Sequence, residues 1–83
     1  IKIYLINILI CLMLYVLKIK GTTTIPDFVQ IRDKNLTLRA YFRLSQAEIG
    51  LKKNNLEEES DAILALLNKI PFGKIYKYKK DEQ

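Results

Sequence analysis

The 83-residue chain contains no histidine and no tryptophan, and it has one cysteine, Cys11, with two prolines and three glycines. A chain without histidine cannot form a Ser-His or Cys-His catalytic dyad, and it lacks the commonest metal ligand. A single cysteine excludes an intrachain disulfide framework. The glycines are isolated, so no glycine-rich phosphate loop is present. We therefore predict that the protein is not an enzyme and has no catalytic residue, metal site or motif-encoded cofactor.

The mean hydropathy of the chain is close to zero, at +0.01, but its apolar and charged residues are unevenly distributed. Apart from Lys2, Asn7 and Lys18, every residue of 1–19 is apolar or tyrosine. Residues 20–83 hold twelve of the fourteen cationic side chains and all nine acidic ones. This polar block is close to the lower size limit, about 55–65 residues, of domains that fold alone. The sequence therefore divides into an apolar segment and a small polar domain.

The apolar segment is predicted to be a transmembrane anchor helix over residues 1–20. Fifteen residues from Ile3 to Leu17 are uncharged. As a helix they cover about 23 Å, and flanking lysines that reach the interface extend this towards the ~30 Å of a bilayer core. Two alternatives are a signal peptide, which lacks its small-residue cleavage site here, and a buried helix, which so short a chain covers poorly. Because the sequence starts with Ile1, we expect further residues to precede it.

The orientation of this helix follows from the cations after it. Lys18 and Lys20 flank the apolar run, and four more cations follow closely: Arg32, Lys34, Arg39 and Arg43. The positive-inside rule then predicts that the polar domain lies on the cytoplasmic, stromal or matrix side. Asn7 is the predicted polar contact within the membrane helix. Three alternatives remain open for Asn7: it reaches the membrane interface, it hydrogen-bonds to a neighbouring helix, or it contacts a pigment or a lipid headgroup. Because the chain has no histidine, any pigment contact would not be histidine-ligated.

Residues 21–35 are predicted to be a linker with one short helix. Thr24 suits the N-cap of a helix, Pro26 suits its first turn, and Asp27 suits the positive end of its dipole. We therefore expect a helix of about two turns between Asp27 and residue 33.

Residues 36–53 are predicted to form the first helix of a hairpin. At about 100° per residue, apolar side chains form two stripes on this helix. The first stripe contains Leu36, Ala40, Leu44, Ala47 and Leu51. The second, on another face, requires a partner to cover it. The candidate partner-docking residues are Leu38, Arg39, Phe42, Arg43 and Ile49.

The second helix of the hairpin is predicted between Asn55 and Pro71. Asn55 and Glu58 have the spacing of a capping box, and the acidic residues of 57–61 suit the first turns of a helix, which explains them without a metal ion. Apolar residues then recur at helical spacing: Ile63, Leu66, Leu67 and Ile70. A tight turn makes the two helices antiparallel, so residues 36–71 are predicted to be a helical hairpin.

The hairpin resembles a single tetratricopeptide unit over residues 38–71. The residues that carry the resemblance are Tyr41, Leu44, Ser45, Ile63 and Pro71. It implies a helix-turn-helix that binds protein surfaces, and the alternative is an antiparallel hairpin of any other kind. Tetratricopeptide units stack in several copies, whereas this sequence holds one.

Residues 72–83 are predicted to be a basic, extended C-terminal tail in which cations alternate with apolar and aromatic residues. Its candidate binding residues are Lys74, Tyr76, Lys77, Tyr78, Lys79 and Lys80. Three alternatives remain open for this tail: a solvated terminus, a strip that docks on an acidic partner or anionic lipid, and a nucleic-acid contact.

Taken together, the sequence predicts an all-α protein with one transmembrane helix, a helical hairpin and a basic tail. The first functional hypothesis is an accessory subunit of a membrane complex, anchored in lipid and docked on neighbouring subunits. Abundant Ile, Leu, Lys, Asn and Tyr indicate an A/T-rich genome, which favours a photosystem subunit of the plastid thylakoid, and then a subunit of the mitochondrial inner membrane. The second is a membrane-anchored assembly or recruitment factor. The third is a membrane-tethered binder of anionic surfaces or nucleic acid through the basic tail. As partners we expect subunits of a membrane complex and membrane lipids rather than nucleic acid, because a short tail without a fold behind it is a small footprint for a nucleic acid.

Overall fold

The computed structural model describes residues 12–80, with side chains from Met13 to Lys79, and shows a mixed α/β fold. Four strands form one antiparallel sheet, and two short helices lie between the third and fourth strands. The strands are β1 (Leu12–Ile19), β2 (Phe28–Asp33), β3 (Leu38–Arg43) and β4 (Ile75–Lys80). The helices are α1 (Ala47–Lys53), which follows the 3-10 turn Leu44–Gln46, and α2 (Ser60–Lys69), which follows the 3-10 turn Glu57–Glu59.

The spatial order of the strands is β3-β2-β1-β4, so the first strand lies in the interior of the sheet. β1 pairs with β2 on one side and with β4 on the other, and all pairs are antiparallel. Strands β1, β2 and β3 follow one another as a meander, whereas β4 reaches β1 only after the chain has passed through both helices. The two ends of the described chain are therefore neighbours in the sheet.

One face of the sheet forms the hydrophobic core together with the helices. Side chains alternate between the two faces of a strand, and those that face the helices are the buried ones. The sheet contributes Leu14, Val16, Val29, Ile31, Ala40 and Phe42 to this core. The helices and the segments that flank them contribute Ala47, Leu51, Leu56, Ile63, Leu67 and Ile70. Among the described residues, 12–80, both helices lie on this face, and no helix covers the opposite face of the sheet.

A side chain fixes the turn between β2 and β3. One Oδ atom of Asp33 accepts hydrogen bonds from the backbone N–H groups of Asn35 at 2.9 Å and Thr37 at 3.0 Å. Leu36 has a φ of 66°, a left-handed conformation that non-glycine residues seldom adopt. Arg39 is an extra residue in β3, since Ile31 pairs with Ala40 and Arg32 with Leu38. This irregularity at the edge strand sets how side chains near the turn are directed.

The predicted second helix is confirmed in outline. The structure places a helix over Ser60–Lys69, with Ile63, Leu67 and Ile70 buried and Leu66 half-buried. Ile70 is already extended and ends this helix immediately before Pro71. Here the spacing of apolar residues was sufficient, because an amphipathic helix on one face of a sheet has the usual 3.6-residue period.

The prediction of an all-α fold with a transmembrane helix over residues 1–20 is wrong. Leu12–Ile19 form strand β1 in the middle of the sheet, and within residues 12–80 no helix is long and apolar enough to cross a bilayer. The physical reason is that an interior strand with apolar contacts on both faces has no polar alternation. Its sequence then resembles a segment of a buried helix. The hypothesis of a photosystem subunit at the thylakoid used this helix as its anchor, together with the residue composition, and the described residues do not test it.

The predicted helix in the linker is also wrong, and the predicted first helix of the hairpin is wrong in its first half. Leu38–Arg43 form strand β3, so only the second half of the predicted helix, from Leu44 onward, is helical. Phe28–Asp33 form strand β2. Tyr41, one of the residues that carries the tetratricopeptide resemblance, therefore lies in a strand. The C-terminal tail is not an extended tail either, since Ile75–Lys80 form strand β4.

Lys18 connects the interior strand to the end of α2. Its side chain is on the helix side of β1 and is 8% exposed. The Nζ atom donates hydrogen bonds to the carbonyl oxygens of Leu67 at 2.8 Å and Ile70 at 3.0 Å. It also lies 4.5 Å from the centre of the Phe72 ring. A cation at the negative end of a helix, over an aromatic face, is favourable on both counts.

We expect Lys18→Met to lower the free energy of unfolding by about 2 kcal/mol, because two carbonyls in a buried region lose their charged donor. Methionine keeps the length of the apolar stem. Lys69→Met is the matched control, since Lys69 is an exposed lysine in the last turn of the same helix. Urea unfolding followed by circular dichroism measures both variants, and equal losses of stability would contradict this role of Lys18.

Candidate functional site: the open face of the sheet

The face of the sheet opposite the helices, called here the open face, is an ordered array of side chains. Strand pairing places residues in rows that cross the sheet. The rows, read from β3 to β4, are Leu38-Arg32-Tyr15-Lys77, Tyr41-Gln30-Leu17-Ile75 and Arg43-Phe28-Ile19, with Met13-Lys79 beyond the first row. Neighbours in a row are about 5 Å apart, and neighbours along a strand about 7 Å apart.

The open face and the helical layer differ in charge, although the helices also hold Lys52, Lys53 and Lys69. The open face carries the cations Arg32, Arg43, Lys77 and Lys79. Among the side chains described from 13 to 79, none on this face is acidic. The helices and their 3-10 turns instead hold five acidic residues: Glu48, Glu57, Glu58, Glu59 and Asp61. The molecule therefore has a positive sheet side and a more acidic helix side.

Arg32 lies near the centre of the open face in a fixed orientation. One of its terminal nitrogens donates to the carbonyl oxygen of Leu36 at 2.9 Å, and its Nε donates to Oε1 of Gln30 at 3.4 Å. A guanidinium has more N–H donors than these two contacts use, so Arg32 retains hydrogen-bonding capacity for a ligand. Because the acceptor for Arg32 is the carbonyl of Leu36, which lies in the β2–β3 turn, this turn contributes to the site.

A shallow apolar recess lies beside Arg32. It has a volume of about 200 Å³ and is lined by Tyr15, Leu17, Gln30, Arg32, Leu36 and Ile75. Ile75 is 66% exposed and Leu36 is 62% exposed, which is unusual for large aliphatic side chains. A recess that combines an amide, a guanidinium and aliphatic walls offers polar and apolar contacts within a few ångströms of each other. This combination makes the recess a candidate recognition site.

Two aromatic rings stack at the β3 side of the open face. The ring centres of Phe28 and Tyr41 are 4.8 Å apart, and their planes differ by 16°. Phe28 is half-buried between Ile19 and Tyr41, whereas Tyr41 is 53% exposed. One ring face of Tyr41 is therefore occupied by Phe28, and the remaining exposed surface of Tyr41 is available to a ligand.

The structure disperses the residues that the sequence grouped as a docking surface. Leu38 and Arg43 lie on the open face, and Arg39 is the extra residue of β3, at 3.9 Å from the Asp33 carboxylate. Phe42 is in the core, and Ile49 is exposed on α1. These five residues therefore do not lie on one face, because residues 38–43 alternate between two faces of a strand instead of following a helix. Phe42, Arg43 and Ile49 nevertheless line one groove between β3 and α1, whereas Leu38 and Arg39 lie outside it.

The basic tail is divided in the same way. Lys77 and Lys79 lie on the open face, opposite Tyr15 and Met13 of β1. Tyr76 and Tyr78 face the helices and pack against the core. Of the other predicted residues, Lys74 precedes β4 and is exposed, and the side chain of Lys80 lies outside the described set. Asn7 also lies outside the described residues.

Sequence reasoning missed the centre of the site, which consists of Tyr15, Leu17, Gln30 and Arg32. A signal for β2 was present, since Val29 and Ile31 alternate with Phe28, Gln30 and Arg32 at the two-residue period of a strand. For Tyr15 and Leu17 the sequence offers no such signal, because their strand is apolar on both faces.

Comparison with known proteins gives no further assignment: no protein-family model, no curated protein and no solved structure matches the chain. Within the part of the chain that the structure describes, no group of three or more His, Cys, Asp or Glu side chains is placed to hold a metal ion. The function is therefore argued from the open face itself.

Proposed function

We propose that the protein binds duplex DNA through the open face of its sheet. The observation that carries the proposal is the composition of that face. It combines four cations with a central Arg32–Gln30 pair and an apolar recess, without an acidic side chain among the described residues. A net charge of +5 and a sequence pI of about 9.4 support a polyanionic partner.

The central residues are those that read base edges in a major groove. Arginine pairs with the acceptors of guanine, glutamine pairs with adenine, and apolar side chains contact the methyl group of thymine. Arg32, Gln30 and the recess beside them provide all three kinds of contact within one small area. Lys77, Lys79 and Arg43 lie around this centre, where they suit contacts with phosphates on either side of a groove.

Single-stranded nucleic acid fits this face less well. Sheets that bind single strands use several aromatic rings, on which successive bases stack. Here Phe28 is covered by Tyr41 and Ile19, and Tyr15 is half-buried in the lining of the recess. Among the aromatic side chains described on this face, Tyr41 alone presents an exposed ring. Duplex RNA is also a poorer fit, because side chains do not reach the bases in its deep, narrow major groove.

This proposal retains the nucleic-acid partner of the third sequence hypothesis but changes the surface. A flexible basic tail contacts phosphates only, whereas β4 contributes Lys77 and Lys79 to a rigid array with β1, β2 and β3. A rigid array lowers the entropic cost of binding, because the side chains are already positioned before the ligand arrives.

Titration of a fluorescent DNA duplex with the protein at several salt concentrations tests the proposal by anisotropy. Each neutralised phosphate contributes about −0.9 to the slope of log affinity against log salt concentration. If the four cations of the open face each neutralise one phosphate, the expected slope is about −3 to −4. A single strand of the same sequence and a duplex RNA serve as comparison ligands. Absence of duplex binding at low salt, or binding that favours the single strand, would overturn the proposal.

A further inference from the structure

A second concave site lies next to the open face, in a groove between strand β3 and helix α1. Its volume is about 280 Å³, and its lining includes Phe28, Tyr41, Arg43, Gln46, Ile49 and Lys53. The groove shares Phe28, Tyr41 and Arg43 with the open face, so the two sites are continuous around the β3 edge.

The floor of the groove depends on a close approach of α1 to β3. Gly50 of α1 lies directly against the Phe42 ring, and a Cβ atom at Gly50 would come within 2.6 Å of Cδ2 of that ring. Asn54 donates its side-chain N–H to the carbonyl oxygen of Gly50 at 2.8 Å, which fixes the end of α1. The groove is therefore a rigid feature of the packing between strand and helix.

The chemistry of the lining is asymmetric. Tyr41 and Ile49, which are 53% and 57% exposed, form an apolar wall with the half-buried Phe28. Arg43 and Lys53 bring two positive charges, and Gln46 brings an amide that both donates and accepts hydrogen bonds. The acidic residue of α1, Glu48, is exposed and is not part of the lining. An aromatic face, an amide and two cations are the groups that bind a base, its polar edge and its phosphate.

We infer that this groove binds a single unpaired nucleotide at the end of a DNA duplex held on the open face. The base stacks on the exposed surface of Tyr41, Gln46 contacts the edge of the base, and Arg43 and Lys53 bind the flanking phosphate. The inference rests on the proposed function, since the duplex on the open face brings the unpaired nucleotide to the β3 edge. Because Tyr41 is the one exposed ring at this edge, the site accommodates one stacked base and not a longer single strand.

Three DNA ligands test this inference by the same anisotropy measurement. They are a blunt duplex, the same duplex with one unpaired nucleotide at an end, and that duplex with an abasic unit in place of the unpaired nucleotide. We expect the unpaired nucleotide to raise affinity about tenfold over the blunt duplex. The abasic unit keeps the phosphate but removes the base, so it gives only the part of this gain that comes from the phosphate contacts of Arg43 and Lys53.

Variants then test whether the effect arises in the groove. The readout for each protein is the ratio of its affinity for the duplex with the unpaired nucleotide to its affinity for the blunt duplex. We expect Tyr41→Leu to reduce the ratio to about one, whereas Tyr41→Phe keeps it, since phenylalanine retains the stacking face. Lys53→Gln and Gln46→Ala lower the ratio without changing affinity for the blunt duplex. Lys52→Gln, a change of the neighbouring exposed lysine outside the groove lining, leaves both affinities as they are.

The outcomes separate the two proposals. If the blunt duplex binds but the unpaired nucleotide adds nothing, or if Tyr41→Leu keeps the ratio, the groove does not bind a nucleotide and the inference fails alone. If no duplex binds at all, the proposed function fails first. A gain that the abasic unit reproduces in full would show that the groove holds a phosphate without a base, and it would overturn the assignment to Tyr41.

Discussion

Reversing the charge of two residues on the open face, with Arg32→Glu and Lys77→Glu together, is expected to weaken duplex DNA binding at least about a hundredfold at moderate salt. Two phosphate- or base-contacting cations are lost, and two carboxylates are placed where the DNA is closest. The two residues lie in one row, on either side of Tyr15. Anisotropy titrations of the variant and the unmodified protein measure the loss, and the slope against log salt should become shallower.

The matched control makes the same change of net charge on the other side of the molecule. Lys52→Glu and Lys69→Glu alter exposed lysines of α1 and α2. They are expected to change affinity far less, because these side chains point away from the open face. Circular dichroism verifies that each variant remains folded, and Arg32→Gln with Lys77→Gln replaces the charge reversal if it does not. Equal losses from both pairs would indicate a general charge effect and would contradict a defined binding face.

The second large effect concerns the core under the face. Ile63→Ala is expected to lower the free energy of unfolding by about 2–5 kcal/mol, because it leaves a cavity in a fully buried position. The free energy of unfolding of native proteins is only about 5–15 kcal/mol, so this loss is a large fraction of the total. Ile63 extends from α2 into the core that also contains the interior strand residues Leu14 and Val16. Urea unfolding of the variant measures the change.

Ile25→Ala removes the same atoms from an exposed position and provides the comparison. Ile25 is 56% exposed in the loop between β1 and β2, so a change within about 0.5 kcal/mol is expected. If the two substitutions cost the same, the packing of α2 against the sheet would not be the main source of stability.

The contrast between α2 and β3 shows what the sequence alone could predict. For α2, the period of Ile63, Leu66, Leu67 and Ile70 matches a helix and no other element. For β3, the stripe from Leu36 through Ala40 to Leu44 has a spacing of four, which suits both a helix and one face of a strand. Ala40 and Phe42 are two residues apart and both buried. This two-residue spacing is that of one face of a strand and does not occur on one face of a helix.

The site could be predicted less well than the fold, since it depends on strand order. Lys77 and Tyr15 become neighbours only because β4 returns to pair with β1. Nothing local in either segment specifies this pairing. The sequence grouped the cations and tyrosines of the C-terminal segment as one tail. Their separation into an open-face pair, Lys77 and Lys79, and two core-facing tyrosines follows from the alternation of side chains along β4. Tyr41 likewise changes from a helix residue to an exposed ring at the β3 edge.

The position of β1 between β2 and β4 also has a consequence for the order in which the molecule is made. During synthesis β1, β2 and β3 emerge as a meander, and until residues 75–80 follow, β1 is an unprotected apolar edge. The hydrogen bond from the Gly73 N–H to the Lys18 carbonyl, at 2.9 Å, lies immediately before β4 and joins this segment to β1. Lys77 and Lys79 arrive with the same strand. A nascent chain without β4 therefore exposes an aggregation-prone edge and has an incomplete positive face, so that protection of this edge and completion of the positive face occur in one late step.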